Sequence, residues 1–338
     1  MATDRVRPDA CPGAIDVHQA ADGGLARVRV PGGTLSAVQF DALRTAALEL
    51  GDGTIELTSR ANAQIRGLKP GAEHELGGRL REVGLLPSMT HERMRNIIAA
   101  PLDDNQALVD AIDAALCAVP ELAFLPGRFL ITVGHAVSGL AGDIGLVGDA
   151  LFLAGRDSGL RVTDPVAAVV TAAKAFQQVR VNAWRLSEVD DGVRKITDIM
   201  GVPGPPEIEP AVTPVPPGVH GSAVVAGVPL GRLDARLLAG VPVRLTPWRS
   251  LVLPAGSDTT GLFTSPDSPW HGVSACTGRP GCAKSLADVR ADATRWIESR
   301  NAGARSAVHW SGCARRCGRP AGDVVEFVAT GDGYEEIR

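Results

Sequence analysis

Four of the six cysteines fall in the last fifth of the chain, as Cys276-Thr-Gly-Arg-Pro-Gly-Cys282 and Cys313-Ala-Arg-Arg-Cys317. Thiols clustered in this way in a reducing cytoplasm ligate metals more often than they pair as disulfides. Zinc takes closely spaced pairs, usually with two to four intervening residues, and builds a small tetrahedron. A 4Fe-4S cluster suits the wider first pair better, because each thiolate caps a different iron. Glycines at 278, 281, 312 and 318 permit close backbone approach and N–H donation to sulfide, and Arg315 and Arg316 offset negative charge. The spacing therefore predicts a 4Fe-4S cluster on Cys276, Cys282, Cys313 and Cys317, with a zinc staple in a non-catalytic binding protein as a remote alternative. Cys11 and Cys117 stand alone and read as structural.

The elements that must deliver these thiols follow from periodicity. A helix over Ala283 to Arg300, with Cys282 at its N-terminal edge, turns through Asn301-Ala-Gly303 into a strand from Ser306 to Trp310. Upstream, the pattern predicts strands at Leu25 to Val30, Thr54 to Thr58 and Gln64 to Leu68, with helices at Leu35 to Leu50 and His74 to Val83. A second mixed layer follows. Its helices are Asn105 to Cys117, Val166 to Phe176 and Glu188 to Met200, and its strands are Phe129 to Val133, Ile144 to Val147 and Leu151 to Ala154.

From Val202 to Pro217 seven of sixteen residues are proline, which marks a semi-rigid linker. The pattern then restarts with a strand at Val225 to Leu230, a short helix at Leu233 to Leu238 and a strand pair within Val243 to Leu253. Ile55-Glu-Leu-Thr-Ser-Arg60 has an echo in Val243-Arg-Leu-Thr-Pro-Trp-Arg249, which suggests an internal duplication with a cleft between its halves.

Composition excludes several classes. A formal net charge of −4 argues against a broad nucleic-acid surface. No apolar run reaches the length of a spanning helix, and Met1 to Ala10 carries no secretory pattern, so a cytoplasmic protein without membrane or nucleic-acid partners is expected. Only four of the 34 basic residues are lysine. Arginine is suited to bidentate recognition of carboxylates. No Gly-x-Gly-x-x-Gly follows a strand, so electrons are expected from a separate ferredoxin or NAD(P)H-dependent reductase.

Thr58-Ser-Arg60-Ala-Asn-Ala-Gln64, Arg95-Asn96, Cys276-Thr-Gly-x3-Cys282 and Ser311-Gly-Cys313-x3-Cys317 together resemble the nitrite and sulfite reductase superfamily. Cys11-Pro-Gly13, the Pro31-Gly-Gly-Thr-Leu turn, Arg244-Leu-Thr-Pro-Trp-Arg249, Cys282-Ala-x-Ser-Leu-Ala-Asp288-x-Arg290-Ala-Asp292-Ala293 and Gly312-Cys-Ala-x2-Cys317 resemble its precorrin-3B synthase branch. The resemblance covers nearly the whole chain. It implies a duplicated α+β architecture of ferredoxin-like half-domains and 4Fe-4S-type α+β domains with pseudo-twofold symmetry. The implied units are a first half-domain at 1–88, an α+β domain without cluster cysteines at 89–201, the linker at 202–217, a second half-domain at 218–265 and the cluster domain at 266–338.

The branch further implies a monooxygenase that hydroxylates precorrin-3A with O2 and closes a lactone in aerobic cobalamin biosynthesis. A mononuclear non-haem iron would accompany the 4Fe-4S cluster. The alternative is a sirohaem nitrite or sulfite reductase, in which Cys317 would bridge cluster and haem iron. By resemblance Arg60, Arg95 and Arg128 face the tetrapyrrole, Arg249 is the pseudo-symmetric counterpart of Arg60, and Gln64 and Asn96 hydrogen-bond the site. Sulfite reductases carry two lysines at the positions of Arg128 and Leu130; the apolar second position removes a proton source and favours oxygenation. The seven histidines offer no defensible ligand set for a second iron, and His309, nearest the cysteines, reads as a strand residue satisfied by backbone.

Overall fold

The computed structural model describes residues 9–299, 306–320 and 322–338. The N-terminal part contains β1 (His18–Ala20), β2 (Gly23–Val28), β3 (Thr34–Leu35), α1 (Ala37–Leu50), β4 (Thr54–Leu57), β5 (Ala63–Leu68) and α2 (Ala72–Glu82). Helix α1 starts at a capping box: Gln39 N–H donates to the Ser36 hydroxyl and Ser36 N–H to the Gln39 side chain. Next come β6 (Ile97–Ala99), α3 (Gln106–Cys117), β7 (Ile131–Val133), β8 (Ile144–Val147), β9 (Ala150–Leu153), β10 (Arg156–Arg161), α4 (Pro165–Val179) and α5 (Gly192–Met200). After the proline-rich stretch the chain forms β11 (Gly218–His220), β12 (Ala223–Gly227), β13 (Arg232–Asp234), β14 (Val243–Leu245) and β15 (Ser250–Pro254). It ends with β16 (Val273–Ala275), α6 (Val289–Glu298), β17 (Ala307–Ser311), β18 (Val324–Ala329) and β19 (Tyr334–Ile337).

These strands form four sheets in two related pairs. The first two orders are β1-β2-β5-β4-β13 and β11-β12-β15-β14-β3. Each half thus takes its fifth strand from the other, with Arg232 to Asp234 pairing β4 and Thr34 to Leu35 pairing β14. Glycine is required at this exchange: Gly33 has φ +74°, and a Cβ there would lie 2.1 Å from the Leu245 carbonyl. One apolar core, from Ala26 and Phe40 to Leu245 and Leu253, runs through both halves.

The other two sheets repeat a second theme. Strands β6, β7 and β8 are parallel and β9 antiparallel, as β16, β17 and β18 are parallel and β19 antiparallel. A helix fills the first crossover each time, α3 in one and α6 in the other. The fold is therefore mixed α and β with its sheets duplicated, whereas α1, α2, α4, α5 and strand β10 have no counterpart in the second half of the described residues.

Three expectations are corrected. Leu233 to Leu238 is not a helix; its start is edge strand β13, recruited by the open edge of β4. Helix α6 begins at Val289, capped by Asp288, whose carboxylate accepts from Ala291 N–H, so Cys282 lies in a loop and not at a helix edge. Helix α5 begins at Gly192, after a 3-10 turn at Leu186–Glu188. The expected turn at 301–303 lies outside the described residues. The stretch 202–217 forms neither helix nor strand, but it is not a free spacer. The Glu207 and Ile208 amides donate to Asp157, and Ala211 exchanges bonds with Ser138 and Gly139. Among the described residues no helix is long and apolar enough to cross a membrane.

Candidate functional site

Strict alternation in the first sheet sets up the site. Ala26, Val28, Ile55, Leu57, Ala63 and Ile65 enter the core under α1, which sends Arg27, Arg29, Glu56, Gln64 and Arg66 to the opposite face. Such a face normally meets water. Here Arg29 is 2% exposed, Arg66 5% and Glu56 7%. Buried charge needs partners, and these form a row. Gln64 Oε1 accepts from Arg27 Nε and Nη2 at 2.9 and 2.6 Å, and Gln64 Nε2 donates to Glu56. Arg290 of α6 donates to the other Glu56 oxygen at 2.5 Å. Arg66 grips Asp22 with two bonds of 2.9 Å and donates to the Gly281 carbonyl at 3.0 Å. The charged face therefore abuts the loop between Cys276 and Cys282.

Cations gather at the other end of the row. Arg29 donates through Nε to the Arg93 carbonyl, while its Nη1 and Nη2 are buried without a hydrogen-bond partner among the described residues. Burial first, then the neighbouring Arg27 and Arg60 guanidiniums, push Arg29 down to about 9, against a partial opposing effect of Cys11. Arg60 reaches the Gly127 carbonyl at 3.3 Å and is pushed down to about 10, by burial first and then by Arg185. Burial also lowers Arg27, against a partial opposing effect of Cys11 and Asp9. Arg128 lies 4.7 Å over the Trp184 ring, with Asp9 at 4.0 Å. These depressed values mark guanidiniums whose charge is incompletely matched, a cluster whose chemistry suits a multiply anionic ligand.

The predicted residues divide accordingly. Arg60 and Arg128 join this cluster and Gln64 orients Arg27. Arg95 does not join it. Its guanidinium is bidentate to Asp113 at 2.8 and 2.6 Å and also donates to the Leu85 carbonyl, so its donors are used in packing α3 against the first half. Asn96 is 1% exposed and structural: it accepts from Asn62 and donates to the Gly127 and Phe129 carbonyls, holding the loop that Arg60 touches. Arg29 and Arg27 were missed, although charges alternating with Ala26, Val28 and Val30 could have signalled them.

Arg249 is not the counterpart of Arg60. The Thr58 hydroxyl accepts from the amides of residues 60 and 62, and the Thr246 hydroxyl from those of residues 248 and 250. The left-handed residues are Ala61 (φ 53°) and Arg249 (φ 57°). The turns superpose Arg60 on Trp248 and Ala61 on Arg249. Trp248 packs on the apolar cluster of Ile98, Ala100, Leu130 and Val137, whereas Arg249 donates to the Gly318 carbonyl at 3.1 Å beside the second cysteine pair.

The cysteine loops leave the C-terminal ends of adjacent parallel strands, where ligands of such sheets commonly bind. Cys276 N–H donates to the Trp310 carbonyl, and Leu286 N–H to that of Gly312, tying the loops together. Gly312 permits the approach: a Cβ there would lie 1.9 Å from the Ser285 hydroxyl. The Cys276 sulfur accepts from Gly312 N–H at 3.2 Å. Burial raises its pKa first, and the neighbouring Cys317 and Cys282 raise it further. His309, fully buried, bonds Ser274 at 2.8 Å and the Cys317 carbonyl at 3.2 Å, so it braces the second loop as a neutral imidazole. Burial and Arg249 push it down to about 4. A thiol that receives a backbone N–H bond beside further thiols suits an iron–sulfur cluster. Among the described residues no three His, Cys, Asp or Glu converge as a single bound ion would require.

Comparison with known proteins agrees with the fold. Residues 18–83 match the nitrite/sulfite reductase ferredoxin-like half domain. The chain is 25% identical to a precorrin-3B synthase from Sinorhizobium sp, over 97% of this chain and 82% of that protein. It is also 25% identical to a ferredoxin–nitrite reductase from Synechococcus elongatus, over 88% of this chain and 74% of the other. The structure of the Mycobacterium tuberculosis NirA protein superposes with a TM-score of 0.72 at 21% identity, covering 93% of this chain and 73% of that one.

Proposed function

We propose that this chain, which has the nitrite/sulfite reductase-like fold and resembles precorrin-3B synthase along almost its full length, is an iron–sulfur monooxygenase of that kind. It would hydroxylate precorrin-3A with O2, with lactone closure, using electrons from a separate donor. The observation that carries the reading is the buried guanidinium of Arg29, with two unpartnered nitrogens, in an arginine cluster on the sheet face that borders the cysteine loops.

Each part has work to do. Arg27, Arg29, Arg60 and Arg128 bind and orient the carboxylates of the tetrapyrrole, and Gln64 fixes Arg27. Cys276, Cys282, Cys313 and Cys317 hold the cluster, with Gly312 N–H donating to the Cys276 sulfur. When bound, a 4Fe-4S cluster supplies electrons singly, and an iron centre overcomes the poor reactivity of dioxygen toward carbon. Among the described residues no ligand set for a second iron converges. Leu130 is 3% exposed in an apolar cluster with Val137 and Trp248, so this wall offers no proton donor at the position where sulfite reductases carry a lysine.

The second reading is a nitrite reductase, favoured by the Synechococcus relative. Anaerobically purified protein, given precorrin-3A, a reductant and 18O2, is expected to yield a product carrying one 18O from dioxygen by mass spectrometry. Unchanged precorrin-3A together with rapid nitrite consumption would overturn the proposal in favour of the reductase.

A further inference from the structure

Ser311 closes β17 immediately before Gly312-Cys313, and its side chain is fully buried. Its hydroxyl has no hydrogen-bond partner among the described residues. Serine hydroxyls rotate freely and usually find a carbonyl, so a buried orphan calls for an explanation. Its neighbours supply one. In the parallel pairing of β16 and β17, Ala275 lies opposite Trp310, which places Cys276 beside Ser311 on the adjoining strand. The backbone on either side of Ser311 is already committed to the same centre. Trp310 accepts from Cys276 N–H through its carbonyl, and Gly312 donates to the Cys276 sulfur. On the same face of these two strands the other buried polar side chains are satisfied, since Ser274 bonds His309 and His309 bonds the Cys317 carbonyl, while the Trp310 indole N–H, which alternation turns to the opposite face, has no partner among the described residues.

We infer that the Ser311 hydroxyl is a hydrogen-bond donor to the iron–sulfur cluster held by the four cysteines, and that it sets the reduction potential. Ser311 is thus a positioning and tuning residue for the electron-transfer step, not a ligand. The inference rests on the cluster reading above. Donors to cluster sulfurs stabilise the more negative, reduced state and so raise the potential. Because the donor favours the reduced state over the oxidised one, losing it should make the cluster about tenfold harder to reduce, about 59 mV for a one-electron couple.

The test is a potentiometric titration, followed by electron paramagnetic resonance, of wild-type protein, Ser311→Ala and Ser311→Thr, each purified anaerobically and assayed for iron and acid-labile sulfide. Ser311→Ala should keep its iron and sulfide but shift to a lower potential, while Ser311→Thr, which retains the hydroxyl, should stay at the wild-type value. An unshifted potential in Ser311→Ala overturns the inference. So does cluster loss in both variants, since shape and not donation would then govern the position. Wild-type protein without acid-labile sulfide would instead refute the cluster reading itself, and that failure is distinguishable from the other two.

Discussion

Replacing Arg29 by methionine should strengthen the free protein and weaken its hold on substrate. The guanidinium is 2% exposed, makes one bond to the Arg93 carbonyl and, among the described residues, leaves two nitrogens unpartnered beside Arg27 and Arg60. An unsatisfied buried polar group costs about 1–3 kcal/mol, more when charged, and the lost bond to Arg93 returns about 1 kcal/mol of that. Methionine fills similar space without charge. Unfolding in urea should therefore show a gain of about 1–2 kcal/mol. With ligand bound the sign reverses, because truncating one partner of a buried charge pair costs about 2–5 kcal/mol. Calorimetric titration with precorrin-3A under anaerobic conditions should show binding weaker by about a hundredfold, since about 1.4 kcal/mol corresponds to each factor of ten. A variant that is less stable yet binds precorrin-3A as tightly as wild type would show that Arg29 serves packing, and would refute the reasoning.

Other substitutions separate site from scaffold. Arg95→Met should do the opposite of Arg29→Met, destabilising by about 3–5 kcal/mol by stranding the buried Asp113 while leaving precorrin-3A affinity within twofold, about experimental scatter; urea melts and calorimetry check both. Gly312→Ala must displace Ser285, whose hydroxyl would lie 1.9 Å from the new Cβ, so iron and acid-labile sulfide should fall sharply, and adding Ser285→Gly should restore part of both. Although burial alone would raise the Asp157 carboxyl, Arg161 and the amides of Glu207, Gly159 and Ile208 hold it well below the usual carboxylate range. A depressed folded value means stability present above about pH 4 and lost as pH falls through it. Asp157→Asn should therefore cost about 1.5–3 kcal/mol at pH 7, and the gap between variant and wild type should narrow below pH 4 in acid titrations followed by circular dichroism.

Much of this architecture was legible because periodicity and special residues are local signals. The helical pattern from Leu35 to Leu50 and the proline-dense stretch each state their consequence within a few residues. What the sequence concealed was long-range. Arg232 to Asp234 reads as a helix start until the open edge of β4, 178 residues earlier by the Arg232 to Thr54 bond, claims it as a strand. Arg95 sits in a motif that points to the ligand, yet Asp113 lies one strand-to-helix connection away and captures it. Equating Arg60 with Arg249 failed by a single residue, because only the hydrogen bonds of the two threonine turns fix that register. Arg29, the most informative cation, carries no motif signal of its own; its isolation becomes visible only when the sheet face is buried.

The central claim is that the arginine face and the cysteine loops, joined where Arg66 meets Gly281, are two walls of one site. It is tested most directly by the electron paramagnetic resonance spectrum of the reduced protein with and without saturating precorrin-3A. The account predicts that ligand alters the cluster signal in wild type and, at the same concentration, leaves it unaltered in Arg29→Met. Saturable binding of precorrin-3A with an unaltered signal in wild type would contradict it.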